Sequence, residues 1–84
     1  MRIAVIKVLA EQFDEDYLLE TIAVLESISK TKGLKDEELQ IIGDLISNAL
    51  GAINVLQTVQ ASNGTLDVKT ATTLFLQKLQ KSTV

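Results

Sequence analysis

The stretch Ile41 to Leu56, IIGDLISNALGAINVL, constrains this chain more than any other part of it. Only Asp44 carries a charge there, and the polar positions are ordered rather than scattered. Gln40, Asp44, Ser47, Gly51, Asn54 and Thr58 recur at spacings of four, three, four, three and four. A strand would alternate at two, whereas this repeat draws a single line along an α-helix. The apolar residues on both sides of that line fill an arc of about 200°, far wider than the ~100° stripe of an ordinary surface helix. Such a helix spans a membrane, has neighbours on several sides, or divides its flanks between its own core and a subunit contact. A span takes about 20 mostly apolar residues and resists a line of Asp, Ser and Asn. No transmembrane segment is therefore expected.

The rest of the chain reads as helix as well. There is no Pro and only four Gly, so little interrupts helical propensity. The clear breaks are Lys32-Gly33-Leu34 and Ser62-Asn63-Gly64-Thr65, where a glycine can take the left-handed conformation that closes a helix. Helix starts are marked by capping residues and hydrophobic staples. Asp14 can cap between Phe13 and Leu18, and Asp67 can cap between Leu66 and Ala71. Leu34 and Leu39 bracket a start at which Lys35 stands where Ser or Thr would serve better. These signals predict an all-α compact bundle of four helices in one domain, residues 1–84, with helices over roughly 2–12, 14–31, 35–61 and 67–81. The first break is the weakest, because no Gly or Pro separates Phe13 from Tyr17. Helices 1 and 2 are read as separate, with one continuous helix as the alternative. The β-branched run Ile3 to Leu9 favours a strand locally, but no partner strand exists, and Ile6, Leu9, Ala10 and Phe13 share a helical face.

Length and composition narrow the function classes. An 84-residue chain builds a small core, and the usual supports are disulfides, a metal or oligomerisation. Cys and His are both absent, which removes disulfides, thiolate metal sites and the commonest general base. No cofactor and no metal are expected. A net charge of −3 with eight basic residues disfavours a nucleic-acid partner. The N-terminus MRIAVIKVLAEQFDED lacks the long apolar region and cleavage site of a signal peptide. It is read as mature, cytoplasmic protein.

Candidate constellations are few. Asp14, Glu15, Asp16 and Glu20 form the densest acidic group, but the alternate ligands, central Gly and terminal Glu of a calcium loop are missing. Acids at a helix N-terminus are the simpler reading. Asp44 and Asp67 are not brought together by any spacing, and no nucleophile accompanies them, so catalysis is not expected. Lys30, Lys32 and Lys35 around Gly33 suggest a weak basic turn without an Arg to read bases. Gly43 and Gly51 each cost about 1 kcal/mol inside a helix, and either admit close helix approach or are tolerated.

What remains is surplus apolar surface. Leu19, Leu74, Leu76 and part of helix 1 have no obvious place in a monomer, and such a surplus marks interfaces. The expected interface comprises Leu45, Ala52 and Val55 on one edge of helix 3, with Leu19, Leu74 and Leu76. The expected function is a non-enzymatic protein–protein interaction module: an adaptor, assembly factor, small chaperone or inhibitor. It would form a homo-oligomer, a homodimer by preference, and engage a protein partner. The alternatives are a small nucleic-acid-binding regulator using the Lys30/Lys32/Lys35 turn, and a peripheral membrane-associated helical protein.

Overall fold

The computed structural model describes residues 2–82, with side chains from 4 to 81. Its described residues form an all-α bundle: α1 (Arg2–Gln12), α2 (Glu15–Ser29), α3 (Asp36–Ala61) and α4 (Val68–Ser82). Ile3, one of the apolar residues expected on α1, lies outside the described side chains.

The breaks have local causes. Asp14 is extended (φ −82°, ψ 170°) and its Oδ1 accepts from the Tyr17 N–H at 2.7 Å, so α1 and α2 are separate helices. Phe13 stacks face to face on Tyr17, with ring centroids 4.5 Å apart. Leu18, the expected staple partner, is buried in the core, against which Phe13 also packs. At the start of α3, Lys35 has no acceptor to offer as a cap. Only the reciprocal contact forms, with the Lys35 N–H donating to Glu38 Oε1 at 3.4 Å. Beyond α3 the chain turns through two left-handed residues, Asn63 (φ 56°) and Gly64 (φ 81°). Ser62 Oγ holds this turn by donating to the Val59 carbonyl at 2.7 Å and accepting from the Leu66 N–H at 3.2 Å. Asp67 then caps α4 through the Thr70 N–H at 2.7 Å.

Helix α3 is the axis of the fold. It packs against α1, α2 and α4, and α1 also packs on α4. Among the described residues α2 packs on α3 alone. The core joins Ile6 and Ala10 of α1, Leu18 and Ile22 of α2, Ala71 of α4, and Ala49, Ala52, Ile53 and Val55 of α3. Small residues at Ala10, Ala49, Gly51, Ala52 and Ala71 let the backbones approach closely. Thr72 is buried and satisfies its hydroxyl on its own helix, donating to the Val68 carbonyl at 2.6 Å.

The resulting shape is flat and long, 46 × 31 × 18 Å. A compact 84-residue domain has a radius of gyration near ~12 Å, whereas this chain has 13.9 Å. The N-terminal half of α3 is less covered than its C-terminal half. Ala49 to Val55 are largely buried, while Leu39, Ile41 and Leu45 remain exposed.

Candidate interaction surface

The expected edge on α3 does not survive folding intact. Ala52 and Val55 are fully buried, and both belong to the core cluster of this single chain. A residue with no accessible surface in one protomer has nothing left to bury against another, so these two leave the candidate interface. The reason is the neighbours. Helices α1 and α4 both pack on α3, and together they cover a flank that helical periodicity alone leaves unassigned. Leu76 is half-buried against the same core. Leu19, Leu45 and Leu74 are exposed but do not share one face. Leu45 sits beside α1 and α2, Leu19 lies on the opposite flank of α2, and Leu74 points away from Thr72 and Leu76 on α4.

The structure assembles a different surface around Leu45. On α2, Tyr17, Thr21, Val24 and Ile28 follow one another at four, three and four residues, a single line beside the buried Leu18–Ile22 stripe. Leu45 and Ala49 of α3, Leu9 of α1 and Phe13 just beyond α1 meet this line at Tyr17, Thr21 and Leu25 in one apolar concavity. It runs into a second on α2, formed with Glu20 and Val24, and into a third on α1, formed by Ala4, Val5, Val8 and the shared Leu9. The result is a continuous trough across three helices, in which Glu20 is the sole charged residue. Of these side chains, sequence reasoning placed only Leu45 and part of helix 1 at an interface. Their missing cover becomes visible only once α2 is seen to have a single neighbour.

A second concavity of about 420 Å³ lies over the polar line of α3. Gly51 forms its floor, because Ile6 and Phe75 converge there and would meet a Cβ at 3.0 and 3.1 Å. Gly51 is thus a close-approach glycine, whereas Gly43 faces open space. Ser47, Asn48, Asn54 and Gln57 supply the polar lining, and Leu50 and Leu79 the remaining apolar wall. Asn48 donates to the Asp44 carbonyl at 2.9 Å, while its Oδ1 is buried without a hydrogen-bond partner. The polar line of α3 is therefore solvated at Gln40, Asp44, Ser47 and Asn54 and interrupted at Gly51.

The charged groups are structural in character. Asp14 caps α2, and Glu15 Oε1 accepts from Gln57 Nε2 at 3.1 Å, tying α2 to α3. No three His, Cys, Asp or Glu side chains converge among the described residues. Lys30, Lys32 and Lys35 lie exposed on the α2–α3 turn, where Gly33 takes φ +92°. The carboxyl of Asp67 is held below its usual range, first by the Thr70 N–H and hydroxyl, then by Lys69 and Lys7. By length and composition alone α3 meets the requirement for a bilayer crossing, with 33 % of its most apolar window buried. Soluble core helices meet the same requirement.

Comparison with curated proteins and with solved structures gave no match. One family model matches residues 1–83, nearly the whole chain, and the chain belongs to that family, a family of unknown function designated DUF6952.

Proposed function

We propose that this chain is a non-enzymatic protein–protein interaction module that self-associates through its uncovered apolar helix faces. The observation that carries this reading is surface area. By the mass scaling for folded monomers, a chain of this size exposes about 4,900 Å²; this one exposes 6105 Å². The surplus of roughly 1,200 Å² exceeds the ~800 Å² that each partner contributes to a standard interface. Among the described residues twelve large hydrophobic side chains remain at least 38 % exposed, so apolar surface contributes to it. Scattered exposed apolar residues are ordinary, but those of α1, α2 and α3 that adjoin around Leu9, Tyr17 and Leu45 form the kind of patch that marks an interface. Size-exclusion chromatography with light scattering, run from about 1 to 100 μM, tests the reading at the micromolar affinities such interfaces reach. A mass near twice 9.2 kDa or higher is expected. A monomer throughout that range refutes it.

A further inference from the structure

The reading as a self-associating module leaves open which face meets the second copy. We infer that a second copy of this chain seats on the α1–α2–α3 trough, with α2 packed antiparallel against the partner's α2 about a two-fold axis between Thr21 and Val24. This inference rests on the proposed self-association and adds its geometry.

Three observations select this face and this occupant. The first is continuity. The central concavity shares Tyr17, Thr21 and Leu25 with the one on α2 and Leu9 with the one on α1, so the three adjoin rather than lie apart. Val5, Val8, Tyr17, Val24 and Leu45 are all exposed along it, and Ile28 and Ile41 extend it by one helical turn on α2 and α3.

The second is charge. The chain carries a formal charge of −3, so a like copy approaches favourably only where few carboxylates are buried. The trough offers one, Glu20. A strongly basic partner would find only Glu20 to pair with, and an acidic one would gain nothing over a second copy. The cleft over Gly51 is less suited to self-association. Its polar lining of Ser47, Asn48, Asn54 and Gln57 would need matching donors and acceptors from the partner.

The third is self-complementarity. A two-fold interface brings the same patch together from both subunits, so each position must suit its symmetry mate. With the axis between Thr21 and Val24, the small pair Thr21 and Val24 face each other at the crossing. The larger pair Tyr17 and Ile28 then meet toward the ends. The four-three-four spacing of the line is the repeat by which two helices pack side by side. The trough also lies on the flat side of α2 that no other element covers, so a second layer of helices can be added without rearranging the first.

The test uses substitutions on two flanks of one helix. Val24→Glu places two carboxylates beside the axis, whereas Leu19→Glu places them on the opposite flank at nearly equal exposure, 49 % against 53 %. Circular dichroism first establishes that both variants remain helical. Sedimentation equilibrium should then show the dissociation constant raised by about 100-fold or more in Val24→Glu, since like charges across an interface cost several kcal/mol, and little changed in Leu19→Glu. A second variant keeps the test independent of folding. The chain has no Cys, so Val24→Cys alone supplies the thiols, and mild oxidation should convert it to a disulfide-linked dimer at micromolar protein while Leu19→Cys stays largely uncrosslinked. If the wild type is dimeric but Leu19→Glu dissociates it and Val24→Glu does not, or Leu19→Cys crosslinks in place of Val24→Cys, the face is wrong and self-association stands. If the wild type is a monomer at 100 μM, both fall.

Discussion

Gly51 offers a quantitative check on the packing, because Gly43 on the same helix serves as its control. Replacing a mid-helix glycine by alanine gains about 1 kcal/mol in helix propensity. At Gly43 the new methyl group meets nothing within 4 Å, so that gain should appear almost in full. At Gly51 the methyl would lie 3.0 Å from Ile6 Cδ1 and 3.1 Å from Phe75 Cε2, against an ordinary carbon–carbon contact of about 3.5–4.0 Å. Ile6 and Phe75 both line the adjoining cleft, and both would have to shift by a few tenths of an ångström to admit the methyl group. Overpacking of this kind costs roughly 1–3 kcal/mol, enough to cancel or reverse the propensity gain. Thermal melts at one fixed protein concentration, which removes the contribution of association, give the comparison. Gly43→Ala should raise Tm by about 4–8 °C, the response of a small domain to 1 kcal/mol. Gly51→Ala should leave Tm unchanged or lower it. The decisive quantity is the difference between the two variants, about 1–3 kcal/mol. Equal stabilisation by both would show that Gly51 is merely tolerated and that α1 and α4 do not press on α3 there.

Four further outcomes are expected. Ala52→Glu, at a fully buried position, should abolish cooperative unfolding by circular dichroism because it forces an unpaired carboxylate into the core, whereas exposed Ser47→Glu should stay within about 0.5 kcal/mol of wild type. Leu18→Ala, which empties a site 1 % exposed, should cost about 2–5 kcal/mol in urea titration; a cost below 1 would place Leu18 outside the core. Asp14→Ala removes the cap that separates α1 from α2 and should cost about 1 kcal/mol, read by the same titration. Asp67 is lowered by its contact with Thr70, so its contribution is complete above the ordinary carboxylate pKa near ~3.9 and is lost as pH falls through the folded value. Melts of wild type and Asp67→Ala should therefore differ by a constant amount above pH ~5 and converge in stronger acid; a difference that grows on acidification contradicts the assigned direction.

The helices were legible because their signals are local. Asp14 and Asp67 announce caps, Gly33 and Gly64 announce left-handed turns, and the structure places helix ends within one or two residues of those marks. The flanks of α3 were not legible. A helical wheel shows that Ala52 and Val55 are apolar and adjoin the polar line, but it cannot show that α1 and α4 both land beside them. That depends on non-local contacts, and so does the opposite error at Leu19, which was grouped with residues on faces it does not share. Gly51 was ambiguous for the same reason. Its neighbours on the polar line are solvated, and only the convergence of Ile6 and Phe75 distinguishes it. Thr72 carried no signal at all, because a threonine that bonds back to its own helix reads like any surface threonine.

The packing of α1 against α3 and α4 also bears on synthesis. Helix α1 is translated first, yet both of its partners are translated after α2. At about 5–20 residues per second, the apolar side chains of α1 wait for seconds before α4 exists. During that interval only α1, α2 and α3 can pack together, and α2–α3 is the most extensive contact open to them. Helix α1 can meet α3 in that time, but Phe75 arrives only with α4, so the convergence of Ile6 and Phe75 on Gly51 is complete only once α4 packs. Destabilising changes in α4 should accordingly act mainly on the unfolding rate, while those between α2 and α3 should slow folding itself.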